Sequence, residues 1–237
     1  MKRKGFLKSN NLIREKSRLK NICFAKRVIS QIGVAISMSA KPLDPAPADS
    51  IATTVMVATK TRGLPPFEKW NPPFCGDLDM RIARDGTWFY LGTPIGRFEL
   101  VKLFSSVLRK DGDKYFLVTP VEKVGITVDD VPFVAIDFTV IGEGKEQTLQ
   151  FETQVGDFSI ASGGNPIRIV RDPKTGEPSP YVHIRAGLEA LIDRKSFYRL
   201  IDLAIHETHN QEQWFGVYSS DTFFPIIPSQ ELNEDGS

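Results

Sequence analysis

"MRIARDGTWFY" (80–90) and "IRIVRDPKTGEPSPYVHI" (167–184) open alike: an apolar residue, Arg, Ile, a small apolar residue, Arg and Asp, then an aromatic or β-branched run. In the first, Asp85-Gly86 suits a tight hairpin turn between the strand-like "DMRIA" (79–83) and "TWFYLG" (87–92). Such a short match arises by chance, but the shared order of the downstream segments does not. Apolar residues of "RFELVKLFSSVLRK" (97–110) recur at helical spacing, and "YFLVTP" (115–120) reads as a strand. After the second copy, "GLEALIDRKSFYRLIDLAIHE" (187–207) reads as a helix broken near Asp193, and "QWFGVYSS" (213–220) closes it as a strand. Aligning Arg97 with Arg194 also pairs Lys102 with Arg199 and Leu103 with Leu200. The chain therefore reads as a duplicated β-β-α-β unit. The extra strands "KVGITVDD" (123–130), "PFVAIDFTVIG" (132–142) and "TLQFETQV" (148–155) lie between the copies. The expected fold class is α+β with mainly antiparallel sheets.

Charge divides the chain unevenly. The 237 residues sum to +1, yet residues 1–37 hold ten Lys/Arg against the single acid Glu15, which leaves 28 acidic and 20 basic side chains beyond them. An acidic body speaks against a nucleic-acid polymer as partner, because phosphate contacts supply most of that affinity. "VISQIGVAISMSA" (28–40) is too short and too polar to span a bilayer. With its basic flank it is weighed as a signal-like segment, an acid-binding tail, or a stretch upstream of a true start at Met38. Two cysteines, Cys23 and Cys75, fit a reducing compartment, so a cytoplasmic location is expected. The expected organisation is a Pro-containing, basic tail over 1–63, an N-terminal repeat domain over 64–122, a C-terminal one over 123–228 and an acidic tail over 229–237.

The common catalytic signatures are missing. There is no G-x-x-x-x-G-K-[ST] loop, and "GEGKEQ" (142–147) lacks the third glycine of a dinucleotide loop. "HETH" (206–209) is one residue short of H-E-x-x-H, with only His183 left as a third imidazole. Cys75 has no neighbouring His or Lys to activate it. Asp77 and Asp79, on one face of a strand, have a spacing that suits a cation but also suits solvated carboxylates. No catalytic residue, metal ligand or cofactor is assigned. An enzyme using Cys75 or the His206/His209 pair stays open as an alternative, as does a scaffold that binds a protein through an exposed strand of the C-terminal half.

Basic residues give the stronger signal. Arg81, Arg84, Arg168 and Arg171 recur in the two first strands, and Arg97 and Arg194 fall at the expected helix starts. A cation there opposes the helix dipole unless an anion is near, so an anion pocket competes with salt bridges to Glu99, Glu122 or Asp193. "TPVEK" offers Thr119, Glu122 and Lys123 at a corner between strands, and Trp88 or Tyr90 is a candidate stacking surface.

Three segments carry a resemblance: "RDGTWFYLGTPI" (84–95), "LVTPVEK" (117–123) and "PYVHIRAGLEALI" (180–192). From about Leu64 to Trp214 the chain resembles the bacterial family of domain of unknown function 1285. The resemblance implies an α+β fold made by duplication, with a C-terminal half similar to a pleckstrin-homology barrel. It also implies a crevice between the halves for a small anionic, nucleotide-like ligand, with a role in signal transduction and no established catalysis. Arg81, Trp88, Arg97, Thr119, Glu122, Lys123 and Arg185 are the residues expected to line it.

Overall fold

The computed structural model describes Ala52 and residues 69–234, which fall within one compact unit. The basic segment 1–37 and the start at Met38 lie outside the described residues. No helix among the described residues is long and apolar enough to cross a membrane.

The N-terminal sheet is built from β1 (Phe74–Ile82), β2 (Trp88–Tyr90), β3 (Thr93–Pro94), β4 (Leu108–Asp111), β5 (Lys114–Val118) and β6 (Lys123–Val128). Helix α1 (Phe98–Ser105) stands between β3 and β4. The strand order is β3-β2-β1-β6-β5-β4, antiparallel except where β6 runs parallel to β1. At the Asp85-Gly86 turn, Ala83 N donates to Thr87 O and Gly86 N to Ala83 O, both at 2.9 Å. Gly86 takes φ 82° there, in the left-handed region that favours glycine.

Next come β7 (Phe133–Ile141), β8 (Thr148–Thr153) and β9 (Phe158–Ile160), then the second copy's β10 (Ile167–Arg171), β11 (Pro178–Arg185) and β12 (Leu188–Ile192). These six pair in the order β10-β11-β12-β7-β8-β9, with β12 parallel to β7. The sheet curls, so that the Ser159 hydroxyl on the last strand reaches the His183 carbonyl of β11 at 2.9 Å. Helix α2 (Arg194–Ile201) leads into an antiparallel meander of β13 (Ile205–His209), β14 (Glu212–Ser219) and β15 (Thr222–Pro228), followed by a short α3 (Glu231–Glu234). Ser219 ties this meander to the larger sheet. Its hydroxyl accepts from Leu149 N at 2.9 Å and donates to Ala161 O at 2.7 Å.

The duplication is present and larger than the sequence suggests. Three antiparallel strands, an eight-residue helix and an antiparallel three-strand meander occur twice, as β1-β2-β3-α1-β4-β5-β6 and as β10-β11-β12-α2-β13-β14-β15. The first copy closes on itself through β1 and β6. In the second, β15 lies against β10 without a ladder, and the inserted β7-β8-β9 meander extends the sheet from β12.

Four expectations need correcting. The helix expected over 97–110 ends at Ser105, where the hydroxyls of Ser105 and Ser106 turn back onto the carbonyls of Lys102 and Leu103, and 108–111 becomes a strand. The helix expected over 187–207 keeps only Arg194–Ile201 and has strands on both sides. β6 completes the N-terminal sheet, so 123–128 belongs with the first half and not the second. Finally, the helices correspond one residue away from the Arg97/Arg194 alignment. Arg97 occupies the position before the first helix and Asp193 the position before the second, and the buried Phe104 falls opposite the buried Leu200.

Buried side chains form one core that runs through both halves, from Met80, Ile82, Trp88 and Leu117 to Phe133, Phe151, Leu188 and Val217. The Gly86 turn of the first copy enters this seam. A Cβ there would lie 2.8 Å from Gln154 Nε2 and 3.1 Å from Val134 Cγ2. Gln154 cannot simply swing away, because its Oε1 accepts from Val134 N at 2.7 Å. Gly86→Ala therefore combines backbone strain with a clash, and we expect it to lower stability by about 1–3 kcal/mol, measured as a fall in urea midpoint. An unchanged midpoint would show that the turn does not hold the halves together.

Candidate functional site

The expected site residues sit in different surroundings, some in the core and some in ion pairs. Trp88 is 1% exposed and stacks on Phe104 with ring centroids 6.2 Å apart, so it is a core residue and no ligand platform. Thr119 is buried and organises the β5–β6 corner. Its hydroxyl accepts from Glu122 N at 3.1 Å, and its own N donates to Glu122 O at 2.9 Å.

Three of the four expected cations are engaged by carboxylates. Arg81 pairs with Asp129 at 2.5 Å and lies 4.7 Å over the ring of Phe89, its cross-strand neighbour. Lys123 pairs with Asp111 and sits 3.9 Å over Phe116. Hydrogen bonds from Lys123 and Arg109 outweigh burial at Asp111 and hold its carboxyl below the usual range. Arg185 pairs with Asp157 at 3.1 Å, donates to Ser105 O at 2.7 Å and lies over Phe133. Its charge thus meets the C-terminal end of α1, where a cation is favourable, and it joins the two halves. Arg97 is left at the other end of that helix. Eight residues at 1.5 Å each put the two ends about 12 Å apart. No hydrogen bond or ion pair holds the Arg97 side chain among the described residues, and none caps the helix there.

A second polar cluster lies on the seam, and sequence reasoning saw only its arginines. Arg84 reaches Asp130 at 3.3 Å and Ser179 at 2.8 Å, while the Tyr181 hydroxyl donates to both Asp130 oxygens. Arg168 lies 4.2 Å over Tyr181 and grips Glu189 with two bonds of 2.6 and 2.7 Å. The Arg168 bonds hold Glu189 low, and burial followed by the Asp130 bond pushes Tyr181 up. Arg81 over Phe89 and Arg168 over Tyr181 are equivalent cross-strand pairs in the two copies. The repeated "R-I-x-R-D" was the available signal, and it marks a structural network.

The alternative catalytic groups are separated. "HETH" forms strand β13, not a helix end, so His206 and His209 point to opposite faces. His206 bonds Ser229 at 2.8 Å, whereas His209 packs on Phe223. His183 uses both ring nitrogens, toward Asn165 and Gly187 N. Cys75 is exposed, with its sulfur 3.4 Å from Pro73 O. No group of three or more His, Cys, Asp or Glu side chains among the described residues is placed to hold a metal.

Family models match the chain in two parts. The N-terminal domain of DUF1285, a domain of unknown function, matches residues 65–131, and the DUF1285 C-terminal domain matches 132–226. The chain belongs to the DUF1285 family. A crystal structure of a DUF1285 family protein from Silicibacter pomeroyi DSS-3 is 56% identical, spans 82% of this chain and all of its own, and superposes with a TM-score of 0.71. One from Shewanella baltica OS155 is 28% identical over 53% of this chain and 91% of its own, with a TM-score of 0.42. No protein with a curated description matches.

Glu122 remains the anomaly of the corner. It is 5% exposed, its Oε1 has no hydrogen-bond partner among the described residues, and burial pushes its pKa up. The folded chain thus keeps a proton that the unfolded chain releases near pH 4.3. The stability this contributes is complete below that pH and is lost as pH rises toward the raised value. Glu122→Gln keeps the shape and removes the titration. Denaturant melts should match wild type near pH 4 and show the variant as the more stable protein near pH 8. Equal stability near pH 8 would mean that the carboxylate is solvated or paired.

Proposed function

We propose that the protein is a binding module, without catalysis of its own, that takes up a small anion such as a nucleotide at the start of α1. The supporting observation is the contrast between two equivalent helix starts. At α2 the Asp193 carboxylate accepts from Ser196 N at 2.7 Å, the usual way to satisfy a first-turn N–H. At α1 the same position carries Arg97, with an extended backbone and no side-chain cap. The cation costs a few tenths of a kcal/mol or more against the dipole. A phosphate or carboxylate held by the guanidinium and the open N–H groups reverses that sign. Arg81, Lys123 and Arg185, each with a carboxylate of its own, stand outside this site.

The finer reading, a pleckstrin-homology-like C-terminal half serving signal transduction in the cytoplasm, is part of the proposal. The curled six-strand sheet with α2 beside β7 supports the structural part of it.

Two substitutions test the site. Arg97→Ala should weaken nucleotide binding by about 1–3 kcal/mol and leave the free protein no less stable. Arg97→Asp copies the cap of the second repeat. It should raise stability by about 0.5–2 kcal/mol and remove anion binding. Thermal shifts with and without ATP, GTP, AMP and inorganic phosphate read both effects. A destabilised Arg97→Ala protein that shifts with nucleotide as wild type does would end the proposal.

A further inference from the structure

We infer that the outer face of the N-terminal sheet carries a second and separate binding site, a groove for a small organic cation of the amine or guanidine class. The groove arises from a mismatch between two parallel strands. Phe74 lies opposite Lys123, Asp77 opposite Gly125 and Arg81 opposite Thr127, so β1 takes seven residue steps where β6 takes four. At about 3.3 Å per step, roughly 10 Å of surplus chain must leave the plane of the sheet. The buckle includes Gly76, at φ 105°.

Beside the buckle lies an open groove of about 360 Å³. Asp77, Asp113, Lys114, Phe116, Gly125 and Thr127 are among its lining residues. Gly125 is required for this arrangement, because a Cβ there would overlap Asp77 Oδ1. The missing side chain lets the carboxylate lie over the floor of the sheet.

The charges select the ligand. Asp77 and Asp113 outnumber Lys114, and none of the three forms an ion pair among the described residues. The cations on either side, Lys123 and Arg81, are neutralised by Asp111 and Asp129. A ligand ammonium or guanidinium matches Asp77, and an aliphatic stem matches the side-chain-free floor at Gly125. An anion is repelled here, which separates this site from the one at α1.

Calorimetric titration of the full chain with agmatine, putrescine and arginine tests the assignment. We expect saturable one-to-one binding of at least one of them, weakened at least tenfold by Asp77→Asn and unaffected by Arg97→Ala. Amide shifts on adding the same amine should cluster at residues 113–116 and 125–127. Absence of saturable binding by all three overturns the inference, as does an Asp77→Asn protein that binds like wild type or amide shifts centred elsewhere. Loss of nucleotide binding in Arg97→Ala bears on the α1 proposal alone.

Discussion

The parallel pairing of β1 with β6 is the constraint on which the rest depends. Parallel neighbours cannot be joined by a hairpin, so the chain must travel through two strands, α1 and two more strands before it can return. That return closes the first copy. It brings Asp129 to Arg81, and it delivers Asp130 to the seam, where Arg84 and Tyr181 meet it. It also forces the longer β1 to buckle against the shorter β6. Closure, seam and groove therefore have one cause.

The second copy starts from the same topology and resolves it differently. Its β10 meets β15 without forming a ladder, and the parallel partner of its β12 comes from the inserted meander. The insertion supplies Asp157, which engages Arg185, and Gln154, which packs against Gly86. Residues between the repeats thus lock the repeats together. Of the residues the sequence placed at a crevice, Trp88 instead packs in the continuous core against Phe104.

Sequence reading recovered the duplication, the Asp85-Gly86 turn and the inserted strands, because each is written in local pattern. It overran the second helix at a place where the strand signal was present. Leu188, Ala190 and Ile192 are buried and alternate with less buried neighbours, a period of two absorbed into a helical reading by the apolar run. It ended at 220, short of β15, where Pro225 and Pro228 weaken the strand pattern but are tolerated because β15 is an edge. The one-residue slip between the helices came from aligning charge, Arg97 with Arg194, where burial would have aligned Phe104 with Leu200. The candidate site was less legible still. The sign of a side chain is local information, but its partner is not: Arg81 finds Asp129 48 residues away and Arg84 finds Ser179 95 residues away. The groove was hidden for a similar reason, since the surplus in β1 exists only relative to β6.

One position distinguishes the copies electrostatically. Asp193 and Arg97 occupy the same place before equally long helices, with opposite charge and opposite effect on the dipole. The α2 start is satisfied within the chain and has no need of a ligand. The α1 start lacks a side-chain cap and carries a cation that its own helix disfavours, while the far end of that helix is pinned at Ser105 by Arg185. One end of α1 is thereby fixed to the second half, and the other has Glu99 in its first turn but no side-chain cap. On the proposal made for α1, an anion would act on a helix already anchored to the second repeat by Arg185, so its effect would reach the seam as well as the helix.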